Sequence, residues 1–255
     1  MMRCDFISTF PSLLEAVLQE SILKRAQEKG LLQVRVLNLR DYTEDRHRTT
    51  DDSPYGGGAG MVMKPGPVFR VVDQLMQEGE PTRIIMPTPQ GAPYSQEKAV
   101  DLSREGRRLI FICGHYEGID ERIRIGLPVE ELSIGDYVLT GGELASLVIV
   151  DAAVRLIPGV LGDGRSAQED SFMNALLDFP HYTRPVEIRG LSVPEVLLSG
   201  NHEAIRCWRK KQAVLNTLRK RPDLLKGRLL DEEEKRFLEE IQREEWEGQK
   251  KQSVC

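Results

Sequence analysis

Leu109-Ile110-Phe111-Ile112-Cys113-Gly114-His115-Tyr116-Glu117-Gly118 is the stretch from which the rest of the chain is read. Five apolar residues without polar alternation read as a strand buried on both faces, as in a parallel sheet. The glycine-containing loop that follows stands at the strand's carboxyl end, where open α/β sheets bind their ligands. Upstream, Cys4–Ile7, Gln33–Leu37 and Arg83–Met86 read as further strands. They alternate with helices expected at Ser12–Lys29 (ended by Gly30), Pro67–Gln77 and Ser95–Arg104. Downstream, Glu131–Ile134 is one more strand, and Gly142–Ile157 is an apolar helix stopped by Pro158-Gly159. This alternation predicts a mostly parallel sheet with helices on both faces.

Beyond Gly159 the texture changes. Gly162-Asp163-Gly164-Arg165-Ser166 is a linker by composition, and from Asn201 onward the pattern is helical, with Ile205, Trp208, Leu215 and Leu218 on one face. The expected organisation is an α/β domain over 1–161, a flexible linker over 162–169, a small all-α domain over 170–247, and a tail without structure over 248–255.

The 255 residues are 40% hydrophobic and 29% charged, enough for one large core or two smaller ones. No stretch approaches the ~18 uninterrupted apolar residues of a membrane helix. An acidic residue, Asp5, stands where a signal peptide would carry its apolar region. Cys4, Cys113, Cys207 and Cys255 lie far apart and form no CxxC pair, so neither a disulfide framework nor a zinc site is expected. A reducing cytoplasm is the expected location. The net charge of -5 conceals segregation. Arg206 to Arg228 is basic with a single acid, Asp223, whereas Asp231 to Glu247 is acidic. Either two solvated helix faces of opposite sign or a basic patch for phosphates fits that pattern.

Two more strands run into glycine loops, Met86-Pro87-Thr88-Pro89-Gln90-Gly91 and Ile134-Gly135-Asp136-Tyr137-Val138-Leu139-Thr140-Gly141-Gly142. A turn glycine would explain any one of these loops, but three in one domain argue for a nucleotide-like ligand. Gly162-Asp163-Gly164-Arg165-Ser166-Ala167 spells a dinucleotide motif, yet it follows a helix and a proline instead of a strand. Gly56-Gly57-Gly58-Ala59-Gly60 lacks the Lys-Ser/Thr of a phosphate loop. A nicotinamide dehydrogenase and an NTPase are both disfavoured.

Asp51-Asp52-Ser53-Pro54-Tyr55-Gly56-Gly57-Gly58-Ala59-Gly60-Met61 resembles the glycine-rich loop of the bacterial tRNA (guanine-N1)-methyltransferases. The resemblance continues through Cys113 to Arg122, Ser133 to Glu143, Arg155 to Gly162 and Glu169-Asp170-Ser171-Phe172. It extends to Pro180-His181-Tyr182-Thr183-Arg184-Pro185 and Leu198-Ser199-Gly200-Asn201-His202. These stretches lie in order and reach about residue 222. Lys24, Phe179 and the linker Asp163-Gly164-Arg165 depart from the pattern, and the tail after Asp231 finds little match.

The resemblance implies a knotted, SPOUT-like α/β domain whose trefoil knot holds S-adenosylmethionine, followed by a helical tRNA-binding domain. It implies a homodimer with shared active sites. Its substrate is the guanine 3′ of the anticodon, position 37, preceded by another guanine. Residue by residue, it assigns Pro89, Gly114, Tyr116, Glu117, Gly118, Ile134, Gly135, Asp136, Tyr137, Val138, Leu139, Gly141 and Gly142 to the donor. Glu117 could be tied to Mg2+, with no metal site otherwise expected. Asp170 is implied as the base and Arg155 as the charge near O6. Without the resemblance, Asp170 would read as the N-cap of a helix and Arg155 as a solvated cation near a helix C-terminus.

The chemistry fits those two roles. Guanine N1 carries a proton at neutral pH that a carboxylate can remove as the methyl bond forms, and charge then spreads toward O6, where a cation is most useful. The anticodon stem-loop is expected to be read by Pro54, Tyr55, Gly56, Gly57, Gly58 and Gly60, and gripped through phosphates by Arg184, Arg209 and Lys210. The rivals are a knotted methyltransferase acting on another RNA position or on ribose, and a non-catalytic RNA-binding module. Ribose methylation needs no base acting on a ring nitrogen, so the role of Asp170 discriminates.

Overall fold

The computed structural model describes residues 1–162 and 170–252, with the backbone alone for Glu245 and 247–252. The chain divides into two compact units, Met1–Gly164 and Arg165–Cys255.

The first unit is built on β1 (Met2–Ser8), β2 (Leu32–Asn38), β5 (Thr82–Pro93), β6 (Arg108–Ile112) and β7 (Val129–Ser133). They form one sheet in the order β2-β1-β6-β5-β7, every pair parallel. All five residues of β6 are buried at the centre of that sheet, as its unbroken apolar run requires. One face packs a core containing Leu14 and Leu18 of α1 (Pro11–Leu18), Leu23 of α2 (Ser21–Glu28), Leu102 of α4 (Gln96–Ser103) and Ile149 of α6 (Gly142–Val154). The other packs Val68, Val71 and Leu75 of α3 (Pro65–Gln77) with Ile123 of α5 (Arg122–Gly126).

The helix expected over Ser12–Lys29 is two helices. The chain breaks at Gln19-Glu20, Ser21 takes φ +48, and Gln27 Nε2 donates to the freed Leu18 carbonyl at 2.7 Å. Leu14, Leu18, Leu23 and Ala26 all stay buried through the break, which is why hydrophobic periodicity hides it. The strand expected over Arg83–Met86 is also longer. Pro87 and Ala92 both pair with Leu132 of β7, so residues 88–91 leave the ladder as a bulge. Gly91 makes that possible, because a Cβ there would overlap the backbone of Glu131 and Leu132. A two-rung hairpin, β3 (Asp51–Asp52) with β4 (Val62–Met63), carries the 53–61 loop and has no strand-like signal in the sequence.

The second unit is mostly helical, with α7 (Glu195–Leu198), α8 (His202–Lys220) and α9 (Glu232–Gln252). It is not all-α. β8 (Glu187–Ile188) and β9 (Leu191–Ser192) pair antiparallel across Arg189-Gly190, whose φ values of 54 and 74 suit a tight hairpin turn. Asn201 caps α8 by accepting from the Ala204 N–H at 3.1 Å. Its closest packing comes from Ala213, Val214 and Thr217, with Leu215 and Leu218 only partly buried. Asp231 and Glu234 form a reciprocal capping box at the start of α9, 2.8 and 3.0 Å. That helix runs on past 248, where the tail was expected to begin. Residues 253–255, and 163–169 of the expected linker, lie outside the described residues.

Candidate active site

In the first unit, the carboxyl ends of β5, β6 and β7 surround a cavity of about 280 Å³. Pro89 reaches it from the β5 bulge. Gly114, Tyr116, Glu117 and Gly118 come from the loop after β6, and Ile134, Gly135, Tyr137, Val138, Leu139, Gly141 and Gly142 from the loop after β7. Of the expected donor residues only Asp136 is absent from the lining, and it is exposed. The three glycine loops therefore meet at one place.

Their approach is close. The Gly142 N–H donates to the Gly114 carbonyl at 2.8 Å, and His115 bridges Gly141. A Cβ on Gly142 would stand 3.0 Å from both Cys113 Cα and Gly114 N. Tyr116 holds φ +63, a conformation that is a genuine outlier for a bulky side chain and is retained in ligand clamps and active sites. His115, Thr88, Gln90, Arg124 and Ser133 also line the cavity. Residue type alone does not flag them, although His115, Thr88 and Gln90 stand inside the quoted glycine loops.

The loop at Pro54–Gly60 sits beside this cavity. The Glu117 N–H donates to the Met61 carbonyl at 3.0 Å, and the Met63 N–H to the Gly118 carbonyl at 2.9 Å. A Cβ on Gly60 would overlap the Glu117 side chain. Gly56, Gly57, Gly58 and Gly60 all have positive φ, and Tyr55 at the tip is 99% exposed. Arg155 closes the C-terminal end of α6 and is partly buried. Among the described residues, no group of three or more His, Cys, Asp or Glu side chains gathers to hold a metal ion.

In the second unit, a cavity of about 680 Å³ brings together Asp170, Arg209 and Lys210, with Phe179, His202 and Arg228 also on its wall. Asp170 does not cap a helix. Residues 171–174 form turns, and the Met173 N–H donates to the Asp170 carbonyl at 3.2 Å. Arg209 is exposed and lies 4.9 Å over the Phe179 ring. Lys210 is ion-paired to Asp231 at 2.7 Å and to Glu233 at 2.8 Å. Burial opposes the Lys210 charge, but these two carboxylates outweigh it and raise the pKa. Arg206 and Lys211 are paired in the same way, to Glu233 at 2.9 Å and to Glu240 and Glu244 at 3.2 and 2.9 Å. The oppositely charged segments read from sequence thus pair with each other. Arg184 lies elsewhere, on the exposed run 181–190.

The chain is similar to known proteins along most of its length. Residues 2–227 match the family model described as tRNA (Guanine-1)-methyltransferase TrmD. The tRNA (guanine-N(1)-)-methyltransferase of Desulforamulus reducens is 54% identical over 243 residues, 94% of this chain and 95% of that one. Proteins of the same name from Bacillus cereus and Moorella thermoacetica are each 54% identical. Both matches cover 96% of this chain, and 100% and 99% of theirs. With residues 2–227 matched to one family model, from the first strand to beyond α8, the chain belongs to the tRNA (guanine-1)-methyltransferase family.

Proposed function

We propose that the protein transfers a methyl group from S-adenosylmethionine to N1 of a guanine in tRNA, the guanine 3′ of the anticodon at position 37 that follows another G. The observation that carries this reading is the convergence of three strand-end glycine loops on one cavity, with the Gly60 turn packed on Glu117 beside it. Gly141 and Gly142 line the cavity, and a Cβ on either would overlap or crowd Cys113, Gly114, His115 and Glu143, so the loop after β7 lies tight on the loop after β6 and presents bare backbone to a nucleoside. Bound there, S-adenosylmethionine supplies the electrophilic methyl group. The path from β7 back against the loop after β6 supports a trefoil knot around this site.

Asp170 takes the N1 proton as the new bond forms, and Arg155 balances the charge that moves to O6. The Pro54–Gly60 loop reads the guanine. Arg209 and Arg184 are the cations offered to phosphate in the helical tRNA-binding unit. No step is assigned to Mg2+, for which Glu117 is the carboxylate offered from the cavity wall. The protein acts as a homodimer with shared sites. α1 and α6 pack together yet leave Leu13, Val17, Leu144 and Val148 exposed by 42–51%, apolar positions that a second copy would cover. Methyl-labelled donor incubated with tRNA transcripts should yield N1-methylguanosine. Label on a ribose or a pyrimidine would overturn the reading.

A further inference from the structure

Beneath the donor cavity lies a buried carboxylate that the proposed chemistry does not use. Glu143, in the first turn of α6, is 1% exposed. Its Oε1 accepts from the Ser8 hydroxyl at 2.6 Å. Ser8 Oγ in turn accepts from the Phe10 N–H at 2.8 Å. With Phe10 donating to one of its lone pairs, Ser8 keeps its own proton for the Glu143 oxygen 2.6 Å away. The carboxylate is thereby held as an acceptor, and the N-terminus of α6 favours its negative charge.

The other oxygen, Oε2, faces His115 Nδ1 at 3.7 Å. That nitrogen is buried and has no hydrogen-bond partner. The ring is held by Phe10, 4.4 Å between centroids, and by Tyr116, 5.1 Å. It also lines the cavity. A buried N–H facing a buried carboxylate gains most of its hydrogen bond by a shift of roughly 1 Å.

We propose that Glu143 is a positioning residue for the donor site. It fixes the His115 tautomer with the proton on Nδ1, which leaves Nε2 as a lone-pair acceptor for an amino group of the bound donor. The logic is that of a carboxylate orienting an imidazole whose second nitrogen does the work. The contact also ties three pieces of chain together: the end of β1 through Ser8, the loop after β6 through His115, and the start of α6. The inference rests on the donor reading of this cavity.

Glu143→Gln tests it, because the amide oxygen can still accept from Ser8 while its NH2 turns toward Nδ1. The tautomer then flips, and Nε2–H meets the donor's own N–H. Nitrogen NMR of His115 should report the Nδ1–H form in the wild type and the Nε2–H form in the variant. Affinity for S-adenosylmethionine, measured by calorimetry on the full chain, should fall about tenfold or more, with the donor KM rising far more than kcat falls. In a His115→Phe background, Glu143→Gln should have almost no further effect on affinity. Should Glu143→Gln fail to fold, Ser8→Ala is the milder variant and should weaken donor binding several-fold. Unchanged affinity in a folded variant, an unchanged tautomer, or independent multiplying effects in the double variant would each overturn the proposal. Failure of the wild type itself to bind S-adenosylmethionine would instead overturn the donor reading.

Discussion

Asp170 shows how much a single residue's role depends on the backbone around it. By type and neighbours it could cap a helix, but the chain turns at 171–174 and leaves it on the wall of a cavity with Arg209 and Lys210. A carboxylate placed to take a proton should be sensitive to loss of basicity alone. Asp170→Asn should therefore retain donor binding and lose about 10²–10⁴ in turnover. Arg155→Ala should likewise spare donor binding and lower the rate. Single-turnover methylation with donor affinity measured in parallel checks both, and near-wild-type turnover in Asp170→Asn would return it to a structural role. The three loops around the cavity were legible because glycine recurs at their strand ends, whereas the donor assignment of their residues came from the family resemblance. His115 and Glu143 were not, since a histidine and a glutamate carry no signal until folding sets them 3.7 Å apart. Asp136 stood in the same run as its neighbours but lies off the cavity, because residue order along a loop does not say which way each one faces.

The helix pair α8 and α9 changes which cations remain for RNA. Lys210 and Lys211 already hold two carboxylates each, so Lys210→Glu would set like charges together and damage the pair before any RNA is bound. Arg209→Glu is the cleaner probe of phosphate contact and should weaken tRNA binding and flatten its salt dependence, by a slope of about 1. Acid should loosen the same pair. Arg206 first, then Lys210, hold the Glu233 carboxyl down at about 2 from its usual 4.5. A depressed carboxylate stabilises above its unfolded pKa and is lost as pH falls through the folded one. Helicity of the full chain should thus become less heat-resistant between about pH 4.5 and about pH 2, and Glu233→Gln should flatten that part of the profile. At this scale the sequence read the Asn201 start of α8, although the helix buries Ala213, Val214 and Thr217 more fully than the Ile205, Trp208, Leu215 and Leu218 face expected of it. It read poorly where geometry is decided by contacts distant in the chain. The break at Ser21 and the β5 bulge leave the apolar pattern undisturbed, and the charge runs gave sign but not partner.

Across the whole molecule, the proposed dimer would cover the exposed apolar positions of α1 and α6. Leu144→Asp should shift the mass in sedimentation from twice 28.9 kDa to once. It should leave the monomer folded, because Leu144 is 51% exposed, and should abolish methylation if the sites are shared. A variant that remains dimeric and active would show that the interface lies elsewhere. The strand order has a consequence for synthesis on the ribosome. β6 is the middle strand, yet it is made after both of its neighbours, β1 and β5. Until residue 112 has cleared the exit tunnel, those strands present unpaired edges with nothing between them, and the core on either side cannot close. Such waiting edges invite pairing with other chains, so this protein should lean on nascent-chain chaperones until the middle strand, and then β7 and α6 behind it, have emerged.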